Sequence, residues 1–294
     1  MDKKEISFVS EYNENKELTL TKYLGKNDDI IVVEDGITEI GSFAFYQCTA
    51  KEIIIPDSVK FIQQCAFASC NVDKITFGKG LEKCDDDIIL NSSVQEIVFT
   101  KPIKVTLDKS FLSLLYGLIS EENSHIEDNF RNFKIAAETK QTKSTFLLTY
   151  HDKSVRLPRH INNYLNMLAI SDVLYDCFIC NADISYQYHY ILNSLSDLQN
   201  KLSVCVELYL LENCEDAKNY LKNNAMLIVS DMIESEDDEA LSLFIKFRLM
   251  SDNTLMHAFE MASEKNMQTS VGYILAQMKE RGLRYTKISI IAAE

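Results

Sequence analysis

Apolar residues return every 22 positions through the first third of the chain, and this interval constrains the fold more than any other feature. Ile37, Val59, Leu81 and Ile103 make one such series, and Phe45, Phe67, Ile89 and Phe111 make another. Ile53 with Ile55, Ile75 with Phe77, and Ile97 with Phe99 keep the interval, while Ile31 with Val33 adds a step upstream. Cys48, Cys70 and Ser92 share a further register. A unit this short cannot bury its apolar face alone, so units must stack and each series must become a column of the core. Residues 52–55, 74–77 and 96–99 alternate with period two, which predicts parallel strands ~4.8 Å apart. The stretch from Ile37 to Phe45 predicts a tight turn that sends bulky groups inward.

The first complete unit resembles a known repeat. Ile37-Thr38-Glu39-Ile40-Gly41-Ser42-Phe43-Ala44-Phe45-Tyr46-Gln47-Cys48, then Glu52-Ile53-Ile54-Ile55-Pro56, is similar to the BspA-like leucine-rich repeat. Leu20-Thr21-Lys22-Tyr23-Leu24-Gly25 is similar to the lead-in segment of that family. The resemblance covers residues 6–118 and departs in the third unit, where Cys84-Asp85-Asp86-Asp87-Ile88-Ile89 replaces Ile-Gly-x-x-Ala-Phe. It implies a short curved solenoid used for protein or surface recognition, without catalysis, and no cofactor is expected. No particular ligand follows from it.

Strand alternation also names the outward positions: Ile30 and Val32, Glu52 and Ile54, Lys74 and Thr76, Glu96 and Val98. Val32, Ile54 and Val98 align as a partly apolar concave strip, interrupted by Thr76 and flanked by Glu52, Lys74 and Glu96. These seven residues are the candidate partner-binding site. About five strands give a face ~20–25 Å wide, on the scale of the ~800 Å² that one partner contributes to a standard interface. The rival reading is that β-branched residues occupy these positions for strand packing alone.

Periodicity fails after Gly117, and polar stretches at 120–125 and 138–143 mark a junction. Thr145-Phe146-Leu147-Leu148-Thr149-Tyr150 and Val155-Arg156-Leu157-Pro158, separated by a polar break, read as a small hairpin. From Ile161 onward, apolar residues recur at spacings of three and four, as in Ile161, Tyr164, Leu165 and Leu168. Ser235-x-x-Asp238 reads as a helix start, and helices are expected over 253–265 and 269–281. The segment from Met256 through Leu275 weakly resembles one ankyrin repeat without its Thr-Pro-Leu-His start. The expected organisation is α+β and multidomain. A leucine-rich repeat solenoid occupies 1–119, a junction with a small hairpin 120–160, and an all-helical α-solenoid or ankyrin-like domain 161–294.

Composition narrows the function class. Thirty basic against 44 acidic residues give a net charge of −14, which disfavours a phosphate-backbone binder, so no nucleic acid is expected. No run of about 18 apolar residues occurs, so no membrane insertion is expected either. The start Met1-Asp2-Lys3-Lys4-Glu5 leads into no signal-like apolar segment, and the eight cysteines read mainly as reduced core thiols. The expected location is cytoplasmic, with surface display or secretion without a cleaved signal as the alternative.

Candidate chemistry is thin. Cys177-x-x-Cys180 could be a redox pair or half a zinc site, but reads better as part of a buried helix. His151-Asp152 lies at a strand end, where neighbours diverge, and His189 sits among Tyr186, Tyr188 and Tyr190. The acidic run from Glu234 to Glu239 has no turn glycine for a calcium loop and fits a helix N-terminus. The reading is therefore a non-enzymatic interaction protein with a protein partner. Two alternatives stand beside it: a helical half acting as an enzyme or effector, and a cell-surface adhesin.

Overall fold

The computed structural model describes residues 8–25, 28–100, 115–121, 130–161 and 166–283. In chain order its strands are β1 (Phe8–Tyr12), β2 (Leu18–Tyr23), β3 (Ile30–Val32), β4 (Glu39–Ile40), β5 (Thr49–Ile55), β6 (Phe61–Ile62) and β7 (Asn71–Phe77). They continue as β8 (Lys83–Cys84), β9 (Glu96–Phe99), β10 (Ser120–Glu121), β11 (Thr145–Tyr150), β12 (Lys153–Pro158) and β13 (His160–Ile161). The α-helices are α1 (Arg131–Thr139), α2 (Met167–Phe178), α3 (Tyr188–Asn193), α4 (Leu198–Glu212) and α5 (Glu215–Asn223). They are followed by α6 (Ala225–Glu234), α7 (Asp238–Lys246), α8 (Asp252–Glu264) and α9 (Gln268–Glu280). The chain forms two compact units, residues 1–126 with 142–204, and residues 127–141 with 205–294.

The first unit contains the solenoid, together with α2, α3 and the start of α4. One sheet runs β1-β2-β4-β6-β8 and a second runs β12-β11-β9-β7-β5-β3, parallel throughout except for the β1–β2 and β11–β12 pairs. The 22-residue series are its columns. Ile31, Ile53, Ile75, Ile97 and Leu148 lie side by side across the second sheet, each no more than 2% exposed. Leu20, Ile40, Ile62 and Cys84 do the same in the first sheet. The Phe45 and Phe67 rings stack at 5.1 Å, and Tyr23 continues the stack at 5.6 Å from Phe45. Each buried aliphatic member contributes about 1.5–3 kcal/mol. Ile103 and Phe111, the last expected members, lie outside the described residues.

The turns repeat as strictly as the columns. Phe43, Cys65 and Asp87 have φ of 57°, 58° and 55°, and Gln47, Ser69 and Asn91 have 57°, 57° and 53°. The left-handed conformation thus recurs at the 22-residue interval, including in the unit where the motif departs. Asp87 and Asn91 belong to the side-chain types that tolerate it best. Main-chain bonds tie successive turns, Phe45 N–H to Ala66 O at 2.9 Å and Phe67 N–H to Ile88 O at 2.8 Å.

The expected hairpin is present as β11 and β12, and β11 also extends the repeat sheet. It pairs with β9 in parallel, Leu147 beside Glu96 and Thr149 beside Val98. Among the described residues the sheet therefore has six strands where the sequence suggested about five. Arg159 locks this end: it is 8% exposed, donates to the Val94 carbonyl and lies 5.8 Å from the Phe146 ring centre. Lys153 Nζ donates to the carbonyls of Cys177 at 2.9 Å and Phe178 at 3.4 Å, a cation at the C-terminus of α2. Ile161 does not open a helix as its spacing suggested. It is fully buried in β13, which pairs with β10, and a strand of two residues is too short to show a period. Tyr164 and Leu165 lie outside the described residues.

The second unit is helical. α1, a short and polar helix with Phe133 and Ala136 buried on one face, places Phe133 at 6.4 Å from Phe244 and 6.2 Å from Phe247. Its Lys134 meets Asp237 at 2.9 Å and Glu239 at 3.5 Å. Asp237, inside the acidic run, caps α7 by accepting from Ala240 N–H at 2.9 Å. Helices α8 and α9 lie within one residue of their expected bounds. Contacts of α7 and the turn after it with α9 hold one offset: Asp238 to Ser270, Ile245 to Gln277 and, just past α7, Arg248 to Glu280. A constant offset at three levels requires the two helices to run parallel, as alternate helices of a stacked repeat do.

The N-cap of α9, Met267, supplies no side-chain acceptor. Asp238 serves instead, accepting from Thr269 N–H at 3.2 Å, Ser270 N–H at 2.9 Å and Ser270 Oγ at 2.5 Å. Burial opposes its ionisation, but these bonds outweigh burial and hold the carboxyl below its ordinary range. Asp238→Ala is expected to destabilise this unit by about 1–2 kcal/mol in urea melts at neutral pH, the usual size of a lost cap. A depressed carboxyl stabilises above the unfolded-state pKa and loses that effect as pH falls through the folded one. The gap between wild type and variant should therefore close in acid, below the ordinary carboxylate range.

Candidate functional site

The outward side chains of the six-stranded sheet fall into two continuous rows. One holds Ile30, Glu52, Lys74, Glu96, Leu147 and Arg156, and the other Val32, Ile54, Thr76, Val98, Thr149 and Ser154. Five spacings of ~4.8 Å make each row ~24 Å long. All seven expected residues stand on this face, in cross-strand register. Leu147, Thr149, Ser154 and Arg156 extend it, and the sequence reading missed them. Leu147 lies 51 positions after Glu96, so the interval that located the other members is interrupted, although the alternation within residues 145–150 was visible.

The two rows differ in character. Ile30 and Val32 at the sheet edge are 57% and 59% exposed, whereas Glu52, Ile54, Lys74, Thr76, Glu96 and Val98 are half-buried by their neighbours. The charges of the first row are matched: Lys74 Nζ lies 3.1 Å from Glu52, and Thr76 Oγ1 donates to Glu52 at 2.9 Å. Thr149 Oγ1 donates to Glu96 at 2.8 Å. Surface pairs that still reach solvent contribute only about 0–1 kcal/mol, so a partner can rearrange them at little cost. The second row is a neutral strip of β-branched and hydroxyl side chains, uncharged along its whole length.

The thiols behave as core. Burial pushes Cys48 up to about 11 and Cys70 and Cys84 up to about 12, so they stay protonated at neutral pH. Cys70 Sγ donates to the Phe45 carbonyl at 2.8 Å, placing it in the turn ladder as its register suggested. Cys177 is buried near the end of α2, with its thiol raised to about 11 by burial, while Cys180 is exposed beyond the helix. Among the described residues no group of three or more His, Cys, Asp or Glu could hold a metal ion. Tyr188 is buried whereas His189 and Tyr190 are exposed, their rings 3.7 Å apart, so the aromatic cluster divides between core and surface. The side chain of Tyr186 lies outside the described residues. His151 occupies the hairpin turn with its ring 4.3 Å from that of Tyr150.

His160 escaped the sequence reading. Its Nδ1 is buried without a hydrogen-bond partner among the described residues. Burial chiefly, then the adjacent Arg159 charge, depress its pKa against the opposing pull of Asp87. Here the unfolded chain binds the proton more tightly, so stability is lost as pH falls from the ordinary histidine value toward the depressed one. The urea midpoint of the wild type is expected to drop across that window, and His160→Gln is expected to flatten the drop.

Residues 38–146 match the family model of the BspA type leucine rich repeat region, in six copies. The BspA-type match reaches into β11, in keeping with the register that joins β11 to β9. It extends past the stretch read from sequence at the C-terminal side, and β1 and β2 precede it. BspA-type repeats are generally non-catalytic and suggest a protein-interaction module. No curated protein and no solved structure matches the chain. Among the described residues, no helix is long and apolar enough to cross a membrane.

Proposed function

We propose that this chain is a non-catalytic recognition protein that binds a protein partner on the outer face of its six-stranded sheet. The observation that carries this reading is the unbroken register of Val32, Ile54, Thr76, Val98, Thr149 and Ser154 across all six strands. A rigid parallel sheet presents such a row with little ordering cost on binding, and its uncharged centre bordered by matched charges has the composition of an interface core with a polar rim. The packed parallel helices of the second unit fit a further scaffold, in line with the helical-repeat expectation.

Ile54 and Val98 are half-buried outward residues, so aspartate at both sites places charge on the strip while leaving the inward columns untouched. Ile54→Asp with Val98→Asp is expected to abolish retention of the partners that immobilised wild type captures, with melting temperature held within a few degrees. Lys60→Asp, an exposed site outside both rows, is expected to retain them. Capture by the double variant at wild-type strength would reject this face.

A further inference from the structure

The edge of the same sheet offers a second mode of recognition, distinct from its face. Among the described residues, β3 is the terminal strand of the six-stranded sheet, with β5 on one side only. The carbonyl of Asp29 accepts from Lys51 N–H at 2.8 Å and Glu52 N–H at 3.1 Å, and Val33 N–H donates to the Ile54 carbonyl at 3.0 Å. Main-chain groups alternate sides along a strand of a parallel sheet, so the peptide groups of Ile30 and Val32 point away from β5. Such a row of outward donors and acceptors is a template for one more strand. The Ile30 and Val32 side chains, 57% and 59% exposed, stand where an added strand would complete the two outward rows.

Charge selects the occupant. The edge reads Asp28-Asp29-Ile30-Ile31-Val32-Val33-Glu34-Asp35, an apolar core with an acidic pair at each end. Asp28 accepts from Tyr23 at 2.5 Å and Asp29 pairs with Lys51 at 3.0 Å, while Glu34 and Asp35 are exposed. A second copy of the chain would set acid against acid in either strand direction, which is destabilising. A strand with lysine or arginine at both ends meets opposite charge at both. We infer that β3 captures an extended peptide segment of a partner protein by strand addition, the segment having a β-branched core flanked by basic residues.

The test uses the full-length chain and two synthetic peptides, a Val-Thr-Val-Thr core with paired lysines at each end and the same core with paired glutamates. Fluorescence anisotropy is expected to show binding of the lysine peptide that weakens with added salt, and none of the glutamate peptide. Val32→Pro removes the outward N–H, which points away from β5, along with the valine side chain, and proline is tolerated on edge strands. It is expected to weaken lysine-peptide binding about tenfold or more while circular dichroism is unchanged. Glu34→Lys with Asp35→Lys, which leaves the main chain intact, is expected to lose the lysine peptide. The Ile54→Asp, Val98→Asp protein should still bind the peptide, so failure of the face and failure of the edge are told apart. The inference is overturned if neither peptide binds, if binding ignores both edge variants, or if wild type sediments as a dimer that Val32→Pro dissociates.

Discussion

Alanine at Phe67 is expected to destabilise the repeat unit by about 3–5 kcal/mol, the range for removing a fully buried phenylalanine. Phe67 is 0% exposed, stacks on Phe45 at 5.1 Å, and meets the Phe77 ring edge-on at 6.4 Å. It thus joins the turn column to the strand column, and neighbours held by main-chain bonds on both sides cannot close the void. In a solenoid each unit relies on the next, so the loss should extend beyond the mutated turn. Equilibrium urea denaturation followed by far-ultraviolet circular dichroism measures it. Replacing Ile89, the next member of the column, by valine should cost only about 0.5–1.5 kcal/mol.

Glu39→Ala is expected to cost about 2–3 kcal/mol, through stranded donors and not lost volume. The carboxylate is 8% exposed, and Thr19 Oγ1 at 2.7 Å, Gln63 Nε2 at 2.7 Å and Asn13 Nδ2 at 3.2 Å all donate to it. Asn13 belongs to the β1–β2 turn and Gln63 to the next coil, so one side chain fastens the leading hairpin to two successive units. Glu39→Gln retains acceptor capacity at one oxygen and should recover part of the loss. Faster amide exchange of β1 and β2 in the alanine variant would locate the effect, and unchanged exchange there would contradict this role.

The solenoid was legible because its information is repeated. Ile53, Ile75 and Ile97 hold one chemical role at one interval, so agreement among units outweighs any single ambiguous residue. The third unit shows what such reading undervalues: Asp87 lies where the motif departs yet preserves the left-handed turn, as Asn91 preserves the one after it. The sequence also showed the alternation of Leu147 and Thr149 without their place in the sheet, because the residues between β9 and β11 destroy the interval. α1 went unread because its one-sided pattern, Phe133 and Ala136, spans only 9 residues inside a polar stretch. His160 carried no signal at all, because its significance lies in an unpartnered nitrogen that only packing creates.

Methyl-labelled NMR of the full chain, titrated with a protein captured on the immobilised wild type, tests the central claim most directly. Shifts and broadening are expected at the outward methyls of Ile30, Val32, Ile54 and Val98, while the inward Ile53, Ile75 and Ile97 report little. Perturbation confined to isoleucine and valine methyls in residues 205–283, with the sheet silent, would contradict it.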